Sequence, residues 1–238
     1  MFERFFPDTT VSSTYAIDYE KLYKEGYRGI LFDIDNTLVE HGKEATEQAK
    51  RLFSRLKKIG YECCLISNNK KKRVHSFNEK IGVHTVFNAH KPAKKGYFYA
   101  MELMNTRPEN TIFVGDQLFT DIFGAKRIGL KNFLVKPINE KEEIQIVLKR
   151  KLEKIVLHEY RAKKREEKRQ KRCEKKWKKK YFNNLMGKKR VKGGTDGLGG
   201  TPASDSTENA VICDSKDNDG VLSDSDDKDS DGEVNGNA

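Results

Sequence analysis

No two cysteines in this chain are spaced like a pair of zinc ligands. The four present are Cys63 and Cys64, adjacent within an apolar run, and Cys173 and Cys213, isolated in polar sequence. Without C-x-x-C pairs there is no basis for a structural zinc site, and scattered thiols form no disulfide framework, so a reducing compartment is expected. Long apolar runs are missing as well: none approaches the roughly 20 residues of a membrane span. The N-terminal Met1-Phe2-Glu3-Arg4-Phe5-Phe6-Pro7 lacks the apolar core of a secretory signal. A soluble cytoplasmic protein is expected, at most resting against the inner face of a membrane. Internal repeats are absent too.

Charge is abundant but unevenly spread. Residues 161–192 hold seventeen Lys/Arg against three acids, and residues 193–238 hold twelve acids against two Lys. The first 160 residues hold 28 basic and 21 acidic residues, so the net charge of +11 belongs to one tract. The final segment is too polar to bury itself and is expected to be disordered. Its Asp227-x-Asp229-x-Asp231-Gly232 matches the opening of a calcium loop. The twelfth position, however, is Ala238 where a bidentate Glu belongs, and calcium binding is rejected.

What the first 135 residues have in quantity is alternation. Gly29-Ile30-Leu31-Phe32 reads as a buried strand. Ala45, Ala49, Leu52, Phe53 and Leu56 mark one face of a helix that Gly60 ends, and Tyr61 to Ile66 reads as a second strand. Val74, Phe77 and Ile81 fit a short helix stopped at Gly82, with His84 to Phe87 as a third strand. A helix is expected from Ala93 to Asn105, with Phe98, Met101 and Met104 along one side as core. Thr111 to Val114 reads as a fourth strand, 118–128 as a helix, and Asn132 to Val135 as a fifth strand. Strands separated by such helices mean βαβ units and a largely parallel sheet. A last amphipathic helix is expected from Glu140 to about Tyr160, carrying Ile144, Leu148, Leu152 and Ile155. The organisation is thus a folded domain over 1–160, a basic tract with helical character over 161–192, and an acidic tail over 193–238.

The segment Phe32-Asp33-Ile34-Asp35-Asn36-Thr37-Leu38-Val39 carries the chemistry. Asp33 and Asp35 emerge at the C-terminal edge of a buried strand, the edge where open α/β sheets bind ligands. Acids are also common where strands turn, so the pair alone decides little. Further polar points fall at the other strand ends: Ser67-Asn68-Asn69, His90-Lys91-Pro92, and Gly115-Asp116 with Asp121 beyond. Singly, Ser67 is an ordinary turn residue, Lys91 a surface lysine, Asp121 a favourable helix start, and His90 structural. Together, in this order, they form a complete set. Asp33 would attack phosphorus, and Asp35 would protonate the leaving alkoxide and then deprotonate water. Ser67, Lys91 and backbone amides after Asp33 would neutralise phosphoryl oxygens, with Asn68 and Thr37 among the phosphate-binding groups. Asp116 would hold Mg²⁺ with Asp33 and the Asp35 carbonyl, and Asp121 would be either a ligand or its support.

These motifs resemble the haloacid dehalogenase superfamily over about residues 15–136, with Asp33-Ile34-Asp35-Asn36-Thr37, Ser67, Lys91 and Gly115-Asp116 followed by Asp121 as the four motifs. The resemblance implies a Rossmann-like α/β fold, a mainly parallel five-stranded sheet with helices on both faces, and a Mg²⁺-dependent phosphatase, since dehalogenase relatives lack an acid at the position of Asp35. Only 33 residues separate Asp33 from Ser67 and 23 separate Ser67 from Lys91, each gap filled by one helix and one strand. The domain is therefore expected to be capless, with an open site suited to a phosphate on a large body. More narrowly, the same segments, with Pro7-Asp8 and Ile17-Asp18-Tyr19, look like the bacterial YqeG group of subclass IIIA, related to mitochondrial phosphatidylglycerophosphate phosphatases. That resemblance implies a phospholipid substrate.

Two other functions compete. One is a phosphatase for a different exposed phosphate, on a nucleic-acid end, a phosphoprotein or a nucleotide. The other is a binding protein, in which the basic tract with Trp177, Tyr181 and Phe182 grips RNA. The same tract also suits an anionic membrane surface, or is simply a solvated helical extension.

Overall fold

Gly29–Phe32 has no exposed residue, and this strand, β2, lies at the centre of the sheet. The computed structural model describes residues 2–139 and 144–191; the acidic tail and Cys213 lie outside the described residues. Six strands, all parallel, lie in the order β1-β6-β5-β2-β3-β4. They are β1 (Thr9–Val11), β2, β3 (Glu62–Ile66), β4 (His84–Val86), β5 (Thr111–Gly115) and β6 (Lys131–Val135). The expected five-strand sheet is thus corrected to six. The added edge strand β1 is fastened to β6 by Asp8, whose carboxylate accepts from the Asn132 backbone and side-chain N–H groups at 3.0 and 2.7 Å.

The helices are α1 (Tyr19–Lys24), α2 (Glu47–Ile59), α3 (Lys71–Asn78), α4 (Lys94–Leu103), the short α5 (Phe123–Lys126) after a π turn at Leu118–Ile122, and α6 (Ile144–Val191). They cover both faces of the sheet, as the period-2 alternation of strand side chains requires. Ile30, Phe32, Cys63, Leu65, Ile112 and Val114 pack with α1, α2 and α3 on one face. Leu31, Cys64, Ile66 and Phe113 pack with α4 and α5 on the other. Local signals agree with these boundaries: Thr46 caps α2 by accepting from Ala49 N–H, and Gly60, at φ 106°, ends it in the left-handed region that favours glycine.

Two helix faces differ from expectation. On α4, Met101 and Met104 are buried as expected, but Phe98 is half exposed, and Tyr97 and Ala100 complete the inner stripe. On α6, Leu152 and Ile155 are exposed, and the buried residues are Glu153, Val156 and Tyr160; the side chains of Ile144 and Leu148 are outside the described ones. The reason is a polar demand: Glu153 accepts a hydrogen bond at 2.7 Å from the Leu118 N–H at the start of the π turn. That bond turns the Glu153 face inward, so Val156 and Tyr160 join Phe6, Leu118, Ile122 and Leu134. The helix continues through the basic tract to Val191, beyond the expected end near Tyr160. Residues to Glu167 form one compact unit, and the described residues from Lys168 on belong to a second.

Candidate active site

The strand order puts β3 and β5 on opposite sides of β2, so the connection direction reverses there and opens a crevice above its C-terminal end. Asp33 is the first residue in that crevice, its N–H still donating to the Val114 carbonyl at 3.0 Å. The chain then turns. Asn36 takes φ 62°, its N–H donates to the Val39 carbonyl at 2.7 Å, and Leu38 N–H donates to the Ile34 carbonyl at 2.9 Å. This tight loop brings Asp35 and Thr37 back over the same edge.

Asp116 follows β5, and Asp121 lies in the π turn just beyond it. Carboxylate oxygens of Asp33, Asp116 and Asp121 all lie within 4.8 Å of one another. The Lys91 ammonium lies 2.5 Å from Asp33 Oδ1 and 2.7 Å from Asp121 Oδ1. Thr37 Oγ1 donates to Asp116 Oδ1 at 3.1 Å, and Asp121 Oδ2 accepts from the Gln117 N–H at 3.1 Å. Close packing fixes these positions: a Cβ on Gly115 would fall 2.5 Å from Asp121 Oδ2. Tyr97, on α4, donates its hydroxyl to the Thr120 carbonyl at 2.9 Å and so holds the same turn.

Three buried carboxylates face one buried ammonium. Burial pushes the Asp33 carboxyl well above the usual range, with Asp121 and Asp116 adding to the effect and Lys91 opposing it. For Lys91, burial works against the charge, but the Asp121 and Asp33 carboxylates outweigh it and hold the ammonium protonated. The excess negative charge and the all-oxygen donor set suit a hard divalent cation.

The remaining expected residues are at the same edge with more particular contacts. Ser67 is buried after β3, and its Oγ accepts from Asn69 N–H at 3.1 Å. Asn68 brackets the Lys91 backbone, accepting from its N–H at 2.6 Å and donating to its carbonyl at 3.2 Å. Asp35 is turned aside from the carboxylate cluster. Its Oδ1 accepts from Gly42 N–H at 2.8 Å and from Arg73 at 2.8 Å, and its Oδ2 from Asn69 Nδ2 at 2.6 Å. Arg73 and Tyr97 escaped the sequence reading, and Asn69, named there beside Ser67 and Asn68, was given no role. Arg73 was hidden in a run of lysines, and Tyr97 in a helix read only for its methionines. His90 is exposed at φ 51°, and among the described residues no side-chain contact assigns it a role. A separate cleft of about 460 Å³, bounded by Asp8, Tyr27, Glu109, Lys126 and Lys131, lies by the starts of β1, β5 and β6, the edge away from the acids.

A profile of the haloacid dehalogenase-like hydrolases matches residues 43–129. "Probable phosphatase YqeG" of Bacillus subtilis is 33% identical over 165 residues, covering 68% of this chain and 96% of that protein. A glyceraldehyde 3-phosphate phosphatase of Pyrococcus furiosus is 32% identical over 92 residues, 35% of this chain and 38% of that protein. The Arabidopsis thaliana protein named phosphatidylglycerophosphate phosphatase 1, chloroplastic/mitochondrial, is 29% identical over 175 residues, 66% of this chain and 48% of that protein. The matched region thus spans about half or less of these last two relatives.

Proposed function

Because this chain belongs to the haloacid dehalogenase-like hydrolases and is a phosphatase, we propose that it hydrolyses phosphatidylglycerophosphate through an aspartyl-phosphate on Asp33. The observation that carries the mechanism is the convergence of Asp33, Asp116, Asp121 and Lys91 at the crevice over β2. An Asp33 oxygen attacks phosphorus as the bond to the substrate's alkoxide breaks, and Asp35 supplies the proton that the alkoxide takes up. Asp35 then accepts a proton from the water that cleaves the phosphoryl–Asp33 bond. Lys91 and Ser67 face the phosphoryl oxygens, while Asn68 and Thr37 act through the Lys91 backbone and the Asp116 carboxylate they bind. Asp33 and Asp116, with the Asp35 carbonyl, would hold Mg²⁺, and Asp121 would serve as a ligand or as the anchor of Lys91. Bound there, the cation would offset charge on the transferring group.

The substrate reading rests on two supports. One relative carries that substrate in its name. The stretches between Asp33 and Ser67, and between Ser67 and Lys91, contain little beyond α2 with β3 and α3 with β4. A site without an inserted cover accepts a phosphate presented on a surface. On this reading the protein is cytoplasmic and meets an anionic membrane peripherally; among the described residues no helix is long and apolar enough to cross one. Phosphate release should be assayed with Mg²⁺ on phosphatidylglycerophosphate in mixed micelles, glycerol 3-phosphate, glyceraldehyde 3-phosphate, a nucleotide and a 3′-phosphorylated oligonucleotide. The lipid should lead by orders of magnitude in kcat/KM, and EDTA should abolish turnover. Asp33→Asn should abolish turnover while preserving the fold. Equal efficiency on the small esters would refute the lipid reading, and metal-dependent turnover by Asp33→Asn would refute the nucleophile.

A further inference from the structure

Helix α3 breaks a local rule beside the catalytic edge. The N-terminal turn of a helix carries partial positive charge and favours Asp or Glu, each worth about 0.3–1 kcal/mol. This helix instead opens with Lys70-Lys71-Lys72-Arg73, has no acid in its first turn, and receives no side-chain cap from Lys70. Four cations at the positive end of a helix repel one another and the helix. Such violations mark function when something else offsets them. Val74 and Phe77 anchor the helix in the core, so the strain falls on its solvent end.

The four cations differ in their surroundings. Lys71 lies over the Phe87 ring at 5.8 Å, while Lys70 and Lys72 are exposed. Arg73 alone reaches the site. Its side chain, 18% exposed, points two donors at one Asp35 oxygen, Nη2 at 2.8 Å and Nε at 3.3 Å from Oδ1, which leaves the rest of the guanidinium fork free to pair with a phosphate. Asp35 does not depend on that contact, because Gly42 N–H and Asn69 Nδ2 also hold it. One anion at Arg73 can therefore be exchanged for another without leaving Asp35 bare. The exchange would also remove the one charged partner among the contacts that hold this carboxyl aside from the leaving oxygen.

We infer that Arg73, with Lys70 and Lys72 outside it, recognises a second anionic group of the substrate, and that Asp35 occupies Arg73 until that group arrives. The chemical class is a phosphate monoester carrying a further phosphate, as diester or monoester, a few bonds from the scissile one. This rests on the phosphatase reading above and narrows its substrate. A monoester with no second anion would leave Arg73 on Asp35 and turn over slowly.

The test uses soluble compounds, so that adsorption to a lipid surface contributes nothing: glycerophosphoglycerol phosphate, the acyl-free head group with two phosphates, against glycerol 3-phosphate with one. With the full-length protein and Mg²⁺, kcat/KM should favour the first by about ten- to a hundredfold, the scale of a hydrogen-bonded charge pair. Propanediol bisphosphate should share the advantage if any second phosphate serves, and lack it if the diester itself is read; either result supports a second-anion site. Arg73→Met should bring the ratio of the two glycerol compounds close to one, and Arg73→Lys should restore part of it, mainly through KM. Lys70→Ala with Lys72→Ala, at exposed positions that leave the fold intact, should raise KM for the two-phosphate compound several-fold. An Arg73 that merely clamped Asp35 would lower both rates equally and leave the ratio unchanged, which overturns the inference while the phosphatase reading stands. Turnover of neither compound, with the micellar lipid still hydrolysed, would also overturn it. Turnover of no phosphate ester at all would remove both readings.

Discussion

Gly115 shows how closely single atoms set the geometry of the candidate site. The absent side chain leaves room for the Asp121 carboxylate, which would sit 2.5 Å from an added Cβ. Gly115→Ala must therefore displace Asp121 and with it the Lys91 pair. We expect kcat to fall at least as sharply as stability, measured by steady-state assay beside thermal melting; full activity with a normal Tm would show that the turn yields. The buried thiols give a prediction of the opposite kind. Burial pushes the Cys64 thiol up to about 12 and raises Cys63 as well. Both should resist iodoacetamide at pH 8 in the native protein and react on unfolding. The sign of the pH effect follows: below about pH 8.5 both states keep the protons, and above it the unfolded chain sheds them first, so stability falls as pH rises toward 12. Urea midpoints should show that slope in wild type, and Cys63→Ala with Cys64→Ala should reduce it between about pH 8.5 and 10, below the range in which the buried Tyr19, Tyr61 and Tyr97 add to it. At this scale the candidate residues Asp33, Ser67 and Asp116 were legible because each directly follows a strand, and Lys91 and Asp121 because they stand five and six residues past one. Arg73 was not, because the exposed lysines around it describe a solvated helix as well as they describe a site.

Helix α6 and strand β1 show what limits legibility for whole elements. The strands β2, β3, β5 and β6 announce themselves as apolar runs because both of their faces are covered. Strand β1 has only three residues, two of them Thr, and its placement depends on Asp8 meeting Asn132, a pairing 124 positions apart that no local pattern reveals. In α6 the apolar residues Leu152, Ile155, Val156 and Leu157 offer two overlapping stripes, and periodicity alone favoured the wrong one. A charged residue ordinarily marks the solvated face, but Glu153 is buried because it satisfies the Leu118 N–H. Two substitutions separate the stripes. Leu152→Ala should change stability by no more than about 0.5 kcal/mol, as surface changes do. Glu153→Ala leaves a buried donor unpaired and should cost about 1–3 kcal/mol in chemical denaturation. Because the π turn also carries Asp121, Glu153→Ala should lower kcat too, whereas Leu152→Ala should not. Reversed costs for the two variants would refute the assigned face of α6.

For the molecule as a whole, the question is what charge outside the unit that holds the candidate site contributes. The unit ending at Glu167 contains every residue of the site, and the chain from Lys168 contains most of the basic tract. That tract is helical to Val191, with Trp177 and Tyr181 stacked at 5.2 Å and both about half exposed. Exposed rings among lysines lose little by staying in water singly, but they gain where an anionic surface offers both charge and an apolar interior, about 1 kcal/mol per well-placed cation. If chemistry and surface attachment are separable, truncation after Glu167 should leave kcat/KM on a soluble phosphate ester nearly unchanged. On vesicles containing anionic lipid, the same truncation should lower both sedimentation with the vesicles and turnover of embedded phosphatidylglycerophosphate. Salt should reproduce that loss in the full chain, since roughly 0.15 M ions screen charges beyond about 8 Å. A tract made for RNA would instead retard labelled RNA with a steep salt slope and leave vesicle binding indifferent to truncation. Loss of activity on the soluble ester after truncation would mean that residues beyond Glu167 support the catalytic unit itself, and separability would fail.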